Sequence, residues 1–157
     1  MPEEVAQRLP DARFSGSGRL RYFGLSVYDA QLWTAEGFKA RDYTRHALAL
    51  SLTYLRSFKG NDIAKRSLQE MSRKGDLSAE TARLWLIQLR DLLPDVQTGE
   101  RLTGLYQPGG AAQFWHQGRN LGAIGDPQFS QRFFGIWLAP DTQEPALRKA
   151  LLAHSPP

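Results

Sequence analysis

The sequence predicts an α+β fold, a mostly antiparallel sheet with helices packed on one face. Three observations carry this. Apolar and polar residues alternate through the first third, helical periodicity follows, and glycine-bounded strands return after residue 100. An aromatic helix then closes the chain. That last segment is the most informative. Asp126-Pro127 reads as an N-cap followed by a first-turn proline, where a missing N–H costs nothing. Phe129, Phe133, Ile136 and Trp137 then recur at helical spacing until Pro140 ends the run. A short helix with three large aromatics on one side must cover something broad and apolar, most simply a sheet.

The remaining elements follow in order. Residues 1–15 read as an extended lead-in. Leu20, Tyr22, Leu25, Val27, Ala30 and Leu32 alternate with polar residues about a turn or bulge at Gly24, which predicts two short strands or one bent hairpin. Residues 38–43 form a connector. Leu48, Leu50, Leu52 and Tyr54 alternate strictly and predict the next strand. Asn61 or Asp62 can cap a helix to about Met71. Ser78 opens a second helix to about Leu93, with Leu84, Trp85, Ile87, Leu89 and Leu92 inward and Pro94 as a stop. Strands resume at 101–107, 111–117 and 121–124, separated by Pro108–Gly110 and Gly118–Asn120, where glycine supplies the positive φ of hairpin turns. A short helix over 144–152 follows the aromatic one, and 153–157 is a tail.

The bulk properties narrow the function. At 157 residues the chain reads as one domain, long enough to bury a core without metal or disulfide staples. It has a net charge of +4 and a pI near 9.6, but its basic residues are dispersed rather than gathered on one face, which argues against nucleic acid. There is no cysteine, so disulfides, thiolate catalysis and cysteine-based metal sites are excluded. His46, His116 and His154 show no metal-ligand spacing, and His116 lacks a nucleophile partner; it reads as a strand histidine facing solvent. No metal or cofactor is expected. No run approaches the roughly 18 apolar residues of a membrane span. The N-terminus has neither the basic nor the apolar region of an export signal. Either the chain is cytoplasmic, or a signal has been removed ahead of Met1 and the protein is periplasmic or exported.

Two stretches, taken with the order of elements, resemble the chalcone isomerase superfamily, specifically its bacterial chalcone isomerase-like branch. Gly16-Ser-Gly-Arg-Leu-Arg-Tyr-Phe-Gly-Leu-Ser-Val-Tyr-Asp-Ala-Gln-Leu-Trp33 is similar to the family's opening hairpin. Residues 101–152 are similar to its closing half: strand, Pro-Gly turn, Phe-Trp strand, Asp-Pro-x-Phe and Phe-Phe-Gly-Ile-Trp-Leu. The resemblance covers about residues 14–152. It implies an open-faced β-sandwich with a cleft between sheet and helices. Three functions live on that fold: flavanone-forming isomerases, non-catalytic isomerase-like proteins and fatty-acid-binding relatives.

In the plant isomerases an Arg and a Thr from the opening hairpin, with a Tyr and an Asn after a Thr-Gly turn, stabilise a developing enolate. By the resemblance, the Arg position falls at Leu20, flanked by Arg19 and Arg21. The Thr position falls at Tyr28, and the Tyr and Asn positions fall near Ile63 and Glu70. Chalcone isomerase activity is therefore not expected. The candidate ligand-binding residues are Arg21 and Tyr28, joined by Arg19, which together suit a carboxylate. Tyr54 and Arg56, two apart on one strand face, form a second polar pair. A core tyrosine beside solvated arginines is the competing reading of the first set. The expected function is non-catalytic binding of a small amphipathic acid, such as a fatty acid, in the cleft; the alternative is a chalcone-isomerase-type isomerase or lyase on an unknown substrate.

Overall fold

The computed structural model describes residues 1–157. Six strands form a single antiparallel sheet in chain order: β1 (Arg13–Tyr22), β2 (Leu25–Thr34), β3 (Leu48–Tyr54), β4 (Arg101–Tyr106), β5 (Ala112–His116) and β6 (Arg119–Ile124). Two helices, α2 (Gly60–Met71) and α3 (Ala79–Leu92), interrupt the meander between β3 and β4. Two more, α4 (Pro127–Leu138) and α5 (Pro145–Leu151), close it, and α1 (Glu3–Arg8) precedes it. The α+β class, the antiparallel sheet and the helix-covered face are as the sequence predicts.

Strand alternation builds the two sides of the sheet. Leu32, Leu50, Leu52, Leu102 and Phe114 face the helices and join the main core. Trp33 and Ala49, one residue out of phase, face the other way and pack with Val5 of α1. The first fifteen residues are thus not the extended lead-in the sequence suggests, because Glu3–Arg8 is helical and covers the far face of the sheet.

Aromatic packing holds α4 to the sheet. Phe133 meets Phe114 edge-on at 5.2 Å, and Phe129 meets Trp85 of α3 edge-on at 5.5 Å. Gly104 gives Phe134 room, since a Cβ there would come 3.2 Å from the ring. Asp126 caps the helix by accepting from the Gln128 N–H at 2.9 Å, and Ser78 caps α3 through Thr81. Neither Asn61 nor Asp62 caps α2. The helix starts one or two residues earlier, and the Asp95 carboxylate accepts from Gly60 N–H at 2.8 Å from across the chain. On α3 only Trp85 and Leu89 are buried, whereas Leu84 and Ile87 are 53% and 49% exposed. Their spacing puts them beyond the narrow stripe that meets α2 and the sheet.

The tail is held. His154 N–H donates to Ser15 O at 2.8 Å and Ala40 N–H to Pro156 O at 3.0 Å, so the C-terminal segment is tied both to β1 and to the turn at residues 40–45. Gly16 makes this approach possible, because a Cβ there would sit 2.1 Å from Ala150 O. No helix is long and apolar enough to cross a membrane.

Candidate functional site: a cleft between sheet and helices

Between the helix-facing side of the sheet and helices α2 and α4 lies a cleft of about 350 Å³. Of its 24 lining residues 16 are hydrophobic, so it suits the apolar part of a ligand. Its polar groups fall into two sets.

The first set is a pair of tyrosines on the floor. Tyr28 of β2 and Tyr54 of β3 are cross-strand partners whose rings meet edge-on at 5.6 Å. The Tyr28 hydroxyl accepts a hydrogen bond from Trp137 Nε1 at 2.8 Å, which leaves its own proton free to donate. The Tyr54 hydroxyl has no partner in the protein and opens onto the cleft. Burial pushes both phenols well above the ordinary tyrosine range. Near neutral pH they are therefore neutral donors, not bases.

The second set lies at the rim. Arg66, one turn after Ile63 on α2, is the only cation among the lining residues, against Asp62, Glu70 and Glu144. Its guanidinium sits 4.8 Å above the ring of Tyr22 and 3.4 Å from the Glu70 carboxylate.

The structure divides the sequence-predicted residues. Tyr28 and Tyr54 line the cleft side by side, while Arg19, Arg21 and Arg56 do not line it. Arg19 is bound instead by Asp29, with Nε to Oδ1 at 2.7 Å, and Arg21 and Arg56 are exposed without an ion-pair partner. The reason is the register. β1 and β2 shift between Leu20 and Arg21, where Leu20 faces Tyr28 and Arg21 faces Ser26. The extra residue of this bulge, Val27, belongs to β2 and joins the cleft wall; β1 keeps its alternation, so Leu20 faces in and its arginine neighbours face away. The arginine of the cleft comes from the opposite wall. Arg66 could have been found, since Ile63, Arg66 and Glu70 recur at helical spacing on one face.

His116 also differs from expectation. It is half-buried rather than solvent-facing, with Nε2 2.8 Å from Glu100, and it lies outside the cleft. No group of three or more histidine or carboxylate side chains stands together to hold a metal ion.

Two comparisons bear on this architecture. The family model described as chalcone isomerase-like matches residues 3–153, all but the two ends. The chain belongs to the chalcone isomerase-like family. The crystal structure of the Arabidopsis thaliana fatty-acid binding protein superposes with a TM-score of 0.69 at 10% identity, over 90% of this chain and 87% of that one. At that identity the match shows the shared fold. Among curated proteins, no sequence matches. Family membership also makes the four carried-over positions informative, because Leu20, Tyr28, Ile63 and Glu70 all line this cleft.

Proposed function

We propose that the protein binds a small amphipathic acid, a fatty acid first among candidates, with its chain in the cleft and its carboxyl group at the tyrosine pair and Arg66. The observation that carries this reading is the Tyr54 hydroxyl: a donor without a protein partner that opens into an apolar cleft beside a second donor held ready by Trp137. A ligand carboxylate that accepts from it gains a hydrogen bond to a charged group, worth about 1.5–3 kcal/mol. Arg66 adds a charge-assisted contact once it turns from Glu70. The fatty-acid binding neighbour supports the ligand class through a shared fold.

Isomerase chemistry has less to stand on. The positions matched to the plant enzyme's Arg, Tyr and Asn hold Leu20, Ile63 and Glu70, which leaves Tyr28 and Tyr54 as the only neutral donors on the floor. A retained donor pair polarises a carbonyl but neither brings nor orients a water. Purified protein is expected to bind a fluorescent fatty-acid analogue that palmitate displaces, and to leave the cyclisation rate of a chalcone at background. Absence of displaceable binding would contradict the proposal, and cyclisation raised about a thousandfold, roughly 4 kcal/mol of barrier, would favour the isomerase alternative.

A further inference from the structure

The β1–β2 hairpin ends in an exposed apolar tip. Tyr22, Phe23 and Leu25 are 45%, 89% and 51% exposed around Gly24. The fold does not require this. Tyr22 pairs with Leu25 across a two-residue turn in which Phe23 and Gly24 have φ of +50° and +78°. Positive φ at both places is the mark of a type I′ turn, whose first position favours Asn, Asp or Gly and strains an aromatic. The β5–β6 hairpin uses the same geometry at Gln117 and Gly118, with φ of +53° and +79°, and fills the first position with a polar residue whose amide oxygen accepts from Arg101 N–H at 2.7 Å. At the β1–β2 tip an aromatic occupies the strained position and meets only Tyr22, at 4.5 Å between ring centroids.

The two free charges on the segments beside the tip are both basic, whereas the unpaired acids Asp62 and Glu144 lie on the cleft walls. Arg21 precedes it on β1, and Arg56 is brought alongside by the bond from Leu55 N–H to Val27 O at 2.9 Å. Neither has an ion-pair partner. The neighbouring Arg19 and Arg66 are matched by Asp29 and Glu70. An aromatic tip flanked by two uncompensated arginines complements an anionic lipid surface, in which aromatic rings settle at headgroup depth and arginines meet phosphates. Tyr22 belongs both to the tip and to the cleft lining, so insertion of the tip brings the cleft mouth to the same surface.

We infer that the β1–β2 hairpin tip docks the protein on anionic bilayers, with Phe23 and Leu25 inserted at the headgroup boundary and Arg21 and Arg56 against lipid phosphates. This contact stands independently of what the cleft holds. The test is co-sedimentation at millimolar lipid and low salt, using phosphatidylcholine vesicles with and without one part in three phosphatidylglycerol. The intact protein sediments with the anionic vesicles only, and added salt releases it. Phe23→Asn, which suits the type I′ turn and therefore leaves the thermal midpoint unchanged or raised, weakens vesicle binding about tenfold. Arg21→Gln with Arg56→Gln weakens it about twenty-fivefold, at roughly fivefold per arginine. Both variants keep wild-type affinity for soluble fatty acid, which separates this contact from the cleft. Failure of the intact protein to sediment at low salt, or equal sedimentation of every variant, overturns the inference. So does self-association that Phe23→Asn abolishes without vesicle binding, which would assign the tip to a second copy of the chain.

Discussion

The two faces of the one sheet solve the same problem differently. On the face covered by α1, polar groups are closed among themselves. Glu4, buried beneath the helix, accepts from Arg101 Nη2 at 3.1 Å and from Thr103 Oγ1 at 2.8 Å. Arg8 stacks 5.7 Å over Trp115. On the face covered by α2 and α4, a cleft remains, and one of two buried phenols lacks any partner. Both faces derive from simple strand alternation, so the sheet alone does not decide between them. What differs is the cover. A six-residue helix with a single buried valine fits flat against Trp33 and Ala49, whereas the longer α4 meets the sheet through large rings and α2, which has none, leaves a cleft between itself, α4 and the strands. The first face leaves no polar group over, and the second leaves one donor over, which is what the proposed ligand would use.

The closed end of the helix-covered face gives the largest expected effect. Phe129→Ala, at a fully buried ring packed on Trp85, should lower unfolding free energy by about 3–5 kcal/mol in chemical denaturation. A loss near 1 kcal/mol, the scale of an ordinary point mutation, would mean that α4 is not clamped there and that the cleft extends further.

On the α1 face, Glu4→Ala should cost about 2–4 kcal/mol, because it strands a partly buried arginine. Burial pushes the Glu4 carboxyl up, but bonds from Arg101 and Thr103 outweigh it and hold the group below the usual range. Its contribution is therefore complete above the ordinary glutamate pKa of about 4.3 and fades as pH falls below it. Glu4→Gln should flatten that acid limb of stability against pH, and an unchanged limb would remove the ion pair from the account.

The two phenols give the sharpest contrast at smaller cost. Tyr28→Phe leaves Trp137 Nε1 without its acceptor and should cost about 1–3 kcal/mol. Tyr54→Phe removes a hydroxyl that has no partner and should change stability by less than about 0.5 kcal/mol. Equal losses for the two would show that Tyr54 is satisfied within the protein. Because both phenols are raised, the fold keeps them protonated while the unfolded chain ionises above about pH 10. Stability should accordingly fall as pH climbs past that point, less steeply in either phenylalanine variant.

Much of the fold was legible because each strand carries its own alternation and each hairpin its glycine. The β4–β6 meander and the aromatic helix follow from these local signals. What was not legible depends on contacts far apart in the chain. Pro2 offers no side-chain cap for α1, and that helix exists through Glu4 reaching Arg101 and Val5 reaching Trp33. The start of α2 likewise depends on Asp95. The site was half legible for the same reason. Tyr28 and Tyr54 follow from strand parity, but parity cannot say which strand carries the bulge, and that placement turns Arg21 away. Arg66 lies on a helix whose facing depends on α3 and α4 as much as on its own sequence.

The central claim is that the tyrosine pair and Arg66 hold the carboxyl group of a ligand whose chain fills the cleft. Titrating palmitate into the intact protein and into Tyr54→Phe and Arg66→Gln, with chemical denaturation of each alongside, tests it most directly. The account predicts affinity weakened by about tenfold for each variant, the worth of a hydrogen bond to a charged group, at unchanged stability for Tyr54→Phe. Equal affinity in all three proteins, or none in the intact one, would contradict it.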